Sequence, residues 1–217
     1  MRQLTFGDVA HRLVGDNARF VQVGSFDGLR ADHLRHYVLN HGWRGVCVEP
    51  IPDSMKELKQ NCRGIEGLQF VQAAIWTEPG QREIHYVPYD LHYTGGVPLS
   101  VLASSSFWDR HVPDMDGRRK TITVECLTLE QLFEKTNTTA FDVFHCDAEG
   151  ADYEIIKTLD LDKWKPILAQ VESKAMTEPQ IAECEALFAS HGYGTSRRRA
   201  DLLAWRLDVE AAAEEAG

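Results

Sequence analysis

Three acids near the ends of two apolar runs carry the first chemical signal in this chain. "HCDAEG" (145–150) sets Asp147 and Glu149 at and just past the end of one run, and "QVES" (170–173) ends the next run in Glu172. Neighbouring parallel strands lie about 5 Å apart, so the three carboxylates are within reach of one divalent cation. Mg²⁺ is the ion that suits a few carboxylates plus substrate oxygens. His145 shares a strand face with Asp147 and offers a base instead. Each residue also has a plainer reading. Glu149 before Gly150 would cap a helix, His145 would be a hydrogen-bonded core residue, and Glu172 would pair with Lys174 or an arginine.

A second signal is "FVQVGSFDG" (20–28), a buried run that breaks into a loop. Gly24 and Gly28, with Ser25 between them, let the backbone turn tightly beside a ligand. Glu49, followed by Pro50, ends the run "RGVCVEP", where an acid accepts both hydroxyls of a ribose. A nicotinamide dinucleotide and an adenosyl ligand both fit so far. Asp27 separates them, because a carboxylate on this loop repels a pyrophosphate and attracts an ammonium or sulfonium. The loop also lacks the third glycine of G-x-G-x-x-G. Adenosylmethionine is therefore favoured, with Asp27 as a mere helix cap the competing reading.

The elements that must position these residues alternate. "RFVQVG", "RGVCVEP", "LQFVQAAIW", "FDVFHCD" and "PILAQVES" read as strands, separated by the helical stretches "LRADHLRHYVLNHG", "PDSMKELKQNC" and "DYEIIKTLDLDKW". That rhythm requires parallel strands with right-handed crossovers, hence a doubly wound α/β sheet. "KTITVECLTLEQLFEKT" is a strand and a short helix capped by Thr128, "TEPQIAECEALFASHG" a further helix, and "YGTSRRR" with "LLAWRLD" an antiparallel pair. Residues 77–120 break the rhythm and are expected to be an irregular lid. Tyr86, Tyr89, His92, Tyr93, Ser104, Ser105, Phe107, Trp108 and His111 would there bind a sugar-like or aromatic ligand or form a satellite core. The basic triplets at 118–120 and 197–199 read as edge-strand charges. The tail 209–217 reads as a frayed helix.

The chain has 217 residues, expected to form one domain with its core over about 18–208. Its net charge of -10 disfavours nucleic acid and anionic lipid as partners. Five cysteines without C-x-x-C spacing fit reduced thiols in the cytoplasm. No apolar run is long enough to span a bilayer.

"FVQVGSFDG", "GVCVEPIPDSMKELKQN", "VQAAI", "VECLTLEQLF" and "FDVFHCDAEGADYEIIKTL" together resemble the FkbM family of S-adenosylmethionine-dependent methyltransferases, over about residues 18–190. The resemblance implies a seven-stranded Rossmann-like fold with an antiparallel C-terminal strand pair. It implies O-methylation of a small molecule, a sugar or secondary metabolite. Gly24, Asp27 and Gly28 would hold the methionine end, Glu49 the ribose, and Gln72 with Ala73 the adenine. Where the family commonly has Lys two positions before the "DxEG" acid, this chain has His145. An NAD-dependent oxidoreductase and a non-catalytic adenosyl-binding module remain the alternatives, and a homodimer is compatible with everything above.

Overall fold

Among the described residues, threonine-led capping boxes at Thr5, Thr128 and Thr177 and the first-turn proline Pro52 mark where helices begin. In the computed structural model, which describes residues 4–30, 32–88, 100–101 and 120–216, Thr5 and Asp8 cap each other at α1 (Phe6–Val9), which continues as a π-helical turn, Ala10–Val14. Strand β1 (Arg19–Val23), helix α2 (Arg35–Asn40) and strand β2 (Arg44–Val48) follow. Pro52 opens α3 (Pro52–Asn61), as a residue with no N–H to lose can. After β3 (Leu68–Val71) come β4 (Ala74–Ile75), β5 (Gly80–Tyr86), β6 (Ser100–Val101) and β7 (Lys120–Leu127). Thr128 and Gln131 cap α4 (Leu129–Lys135), which leads to β8 (Val143–Cys146). Two short helices, α5 (Asp152–Ile156) and α6 (Leu161–Trp164), precede β9 (Leu168–Glu172). Thr177 and Gln180 cap α7 (Glu178–Ser190), and β10 (Tyr193–Arg198), β11 (Asp201–Arg206) and α8 (Leu207–Ala216) complete the chain.

Seven strands form the main sheet in the order β3-β2-β1-β8-β9-β11-β10. Its pairings are parallel except those of β11, which runs antiparallel to β9 and β10. Strand alternation divides the interior into two cores. Val21, Val48, Phe144 and Val171 face α4, α5 and α7, whereas Phe20, Cys47, Val143 and Leu203 face α1, α3 and α8. This is the expected α/β sheet with helices on both faces. All five cysteines are buried and free.

Three expectations change. "LQFVQAAIW" is not one strand, because the chain leaves the main sheet after Val71 and re-enters a second, four-stranded sheet at Ala74, ordered β4-β7-β5-β6. Residues 80–86, expected to be irregular, pair antiparallel with 120–126 along their whole length. Ile84, Val124 and Cys126 give that sheet a small core with Ile51 and Ala74. The tail is not frayed: Trp205 Nε1 donates to Glu210 at 2.6 Å, Arg12 pairs with the same carboxylate, and Val209 and Ala213 pack on the α1 side. The side chains from Tyr89 to His111 proposed for a lid lie outside the described residues. Arg197 of the second basic triplet is spent on Glu178 and Glu185, at 2.7 Å each.

Candidate functional site

A cavity opens beyond the carboxyl ends of β1, β2 and β8, where the strand order reverses and α/β sheets bind their ligands. Four segments line it: Gly24 to Phe26 after β1, Glu49 to Ile51 after β2, Ala73 to Ile75 at the change of sheet, and Asp147 to Glu149 after β8. Ile84 of the second sheet, Arg30, Ser54, and Gln22, Asp32 and His145 on the α1 side also line it.

The loop after β1 is held by β2, since Gly24 N–H and Ser25 N–H both donate to Val48 O, at 3.0 and 2.9 Å. Gly24 has φ +78°, and a Cβ there would sit 1.7 Å from the Asp147 carbonyl oxygen. Only glycine lets the two strand ends close around the ligand space. Phe26 takes a positive φ of 47°, which turns its N–H onto Glu49 Oε2 at 2.9 Å. Ile51 N–H donates to the other carboxylate oxygen, also at 2.9 Å. Glu49 is thus anchored with spare lone pairs on both oxygens. Burial pushes its pKa up to about 7, partly offset by those two backbone bonds.

Asp27 does not line this cavity. Its carboxylate accepts from Leu29 N–H, Arg30 N–H and the Arg30 guanidinium, at 2.9, 2.8 and 2.7 Å. Burial alone would raise its pKa, but the Arg30 and Leu29 bonds hold it below the usual value. These bonds close a turn over residues 27–30, ahead of α2, so Asp27 caps no helix and its carboxylate is turned onto Arg30. Gly28 is also outside the wall; a Cβ there would meet Leu58 at 2.5 Å, so its smallness serves packing on α3. Gln72 is exposed and points away from the cavity that its neighbour Ala73 lines.

The negative wall comes instead from β8. Asp147, Glu149 and Glu172 each place a carboxylate oxygen within 4.8 Å of the others. Burial and then mutual repulsion raise the pKa values of Asp147 and Glu172 well above the carboxylate range, and Lys174 opposes this only in part. Glu149 sits at φ +49°. Asp152, which sequence reading left out of the site, ties this loop down: its two oxygens accept from Ala148 N–H at 2.8 Å and Gly150 N–H at 3.1 Å. The signal in the sequence is "DAEGAD", an acid close after a glycine turn.

His145 is 3 % exposed, and neither ring nitrogen has a hydrogen-bond partner among the described residues. Burial and the nearby His33 ring push its pKa down to about 3, so it is neutral and a weak base. It makes no hydrogen bond to Asp147 among the described residues.

Together, a sheet in this order with β11 reversed, an acid after the second strand and an acidic loop after the strand beside the first define the Rossmann-like methyltransferase class. The family follows from the sequence itself: residues 15–194 match the methyltransferase FkbM domain, and the chain belongs to that family. Among solved structures it is similar to methyltransferase FkbM from Methylobacillus flagellatus KT, with a TM-score of 0.54 and 11% identity, covering 88% of this chain and 44% of that one. The chain thus spans less than half the length of that relative. It also matches a precorrin-6y C5,15-methyltransferase from Geobacter metallireducens GS-15, with a TM-score of 0.47, 11% identity and coverage of 92% and 86%. A third match is Aeropyrum pernix fibrillarin in complex with natively bound S-adenosyl-L-methionine, with a TM-score of 0.43, 11% identity and coverage of 89% and 67%. No curated protein matches the chain. Among the described residues no helix is long and apolar enough to cross a membrane.

Proposed function

We propose that this protein methylates a hydroxyl of a small molecule, a sugar or secondary metabolite, using S-adenosylmethionine. The observation that carries the reading is Glu49, buried at the cavity floor with both oxygens oriented by backbone N–H groups, as a receptor for the paired hydroxyls of a ribose. Apolar Ala73, Ala74 and Ile75 flank the space for an adenine ring. Asp147 and Glu149 face the same cavity, and their charge suits a sulfonium and an ammonium while repelling a pyrophosphate. That contrast disfavours NAD, the role first given to Asp27.

S-adenosylmethionine held there by Glu49 and the Ala73–Ile75 wall would supply an electrophilic methyl carbon to the acceptor oxygen, with the C–S electron pair left on sulfur in S-adenosylhomocysteine. Asp147, which lines the same cavity, takes the hydroxyl proton in its ionised form. Asp152 and Gly24 keep it in line with the donor. Asp147, Glu149 and Glu172 form a donor set that fits a hard divalent cation such as Mg²⁺. That ion would supply a lower pKa for a bound hydroxyl and relieve the repulsion among the three acids. Calorimetry tests the reading. S-adenosylhomocysteine should bind with a Kd near micromolar and NAD should not bind; the reverse pattern would reject it.

A further inference from the structure

A second cavity of about 150 Å³ lies on the α1 side of the sheet, beyond β9 and β11. Phe6, His33, Gln170, Arg198, Asp201 and Leu203 contribute to its wall. It adjoins the cofactor cavity through two neighbouring imidazoles: His33 lines the second cavity, His145 lines the first, and their rings are tilted by 35° with centroids 5.6 Å apart. Asp201 stands opposite Glu172 in the β9–β11 register and its charge acts on Asp147. The second cavity therefore borders the acids placed at the reacting centre.

The boundary between the cavities holds polar atoms with nothing to bond. Gln170 neighbours His145 in the β8–β9 register, and both are 3 % exposed. Gln170 Oε1 has no partner among the described residues, nor has either His145 nitrogen. Each buried polar atom left this way costs about 1–3 kcal/mol, so such atoms call for a functional explanation. A ligand hydroxyl pressed between these side chains would satisfy them.

We infer that this second cavity is the acceptor site and that its ligand is a neutral ring bearing adjacent hydroxyls. The inference rests on the methyl-transfer reading and adds to it where the acceptor lies and what recognises it. One hydroxyl meets Gln170 and His145 and points toward Asp147. A neighbouring one is held by Asp201, with Arg198 as the donor at the rim. Phe6 and Leu203 supply the apolar surface that a ring's C–H face packs on.

The test uses the full chain saturated with S-adenosylhomocysteine, methyl α-glucoside as the added probe, and NMR of the histidine rings. Millimolar probe should shift the resonances of both His33 and His145. Gln170→Met removes the unbonded oxygen at similar volume, so it should leave folding and S-adenosylhomocysteine affinity within about twofold. The same variant should weaken the probe at least tenfold, and Asp201→Asn should do likewise. Unshifted rings, or equal probe affinity in both variants, would overturn the inference. Failure of S-adenosylhomocysteine to bind the unaltered protein would instead overturn the reading beneath it.

Discussion

The two ends of the cofactor cleft hold their carboxylates in opposite ways. At the β2 end, Glu49 stands alone, and two backbone N–H groups fix its orientation before any ligand arrives. At the β8–β9 end, Asp147, Glu149 and Glu172 crowd within 4.8 Å, with Asp201 and Asp152 adding to the field. The first is penalised mainly by the burial of its own charge, and a neutral diol completes it. The second is strained by its own charge, and only protons, a cation or a cationic substrate relieve it. On the proposed reading, recognition belongs to the β2 end and reactivity to the β8–β9 end.

Asp147→Ala should break the strained end most sharply. Methyl transfer is expected to fall about 10²- to 10⁴-fold, the range for losing a proton acceptor, while S-adenosylhomocysteine affinity changes only a few-fold. Equal losses in both would mean that Asp147 holds the cofactor instead of the proton. Glu49→Ala should show the converse pattern in calorimetry. Losing a charge-assisted acceptor worth about 1.5–3 kcal/mol weakens S-adenosylhomocysteine roughly 10- to 100-fold.

Titration separates the two ends without mutation. These buried carboxyls bind protons more tightly folded than unfolded, so unfolding releases protons. Their contribution is fully present below the ordinary carboxyl pKa of 4.5 and is lost as pH rises, through about 7 for Glu49 and higher for Asp147 and Glu172. In chelator, the melting temperature should therefore fall between pH 7 and 9, by roughly 2–4 °C per kcal/mol. Millimolar Mg²⁺ should remove most of that fall, because a cation replaces the protons. A slope indifferent to Mg²⁺ would leave the acidic cluster without a metal role. The smallest effect should come from Asp27→Asn, which breaks a pair whose arginine is 40% exposed. Such pairs contribute about 0.2–1 kcal/mol, so cofactor affinity should change by less than about fivefold.

The main sheet was legible because its strands are short β-branched runs spaced by capped helices, and Glu49 and Asp147 because strand ends are where such folds bind ligands. What escaped the sequence was side-chain direction. Asp27 lies on the right loop, yet Arg30 three residues on captures it, and nothing in "GSFDGLR" says which way the carboxylate turns. Gln72 and Ala73 are adjacent, but the change of sheet after Val71 sends one outward and the other inward. Residues 80–83 are four exposed positions ahead of the first buried one, Ile84, so the strand character of 80–86 depends on β7. Gln22 and Gln170 drew no notice because an isolated glutamine in an apolar run carries no motif.

The seam between β1 and β8 also sets when the site can exist. Arg19 and Asp142, which meet at its lower end, are 123 residues apart in the chain, and Gly24 touches Asp147 at its upper end. The β1-β2-β3 half can pair through nearby contacts, as can β8, β9, β11 and β10. Joining the halves requires closing a very long loop, and such distant contacts are the slow ones in folding. The cofactor cavity straddles that join. A nascent or partly unfolded chain therefore holds either Glu49 or Asp147 in place, and it gains the ability to bind an adenosyl ligand only when the halves zip together.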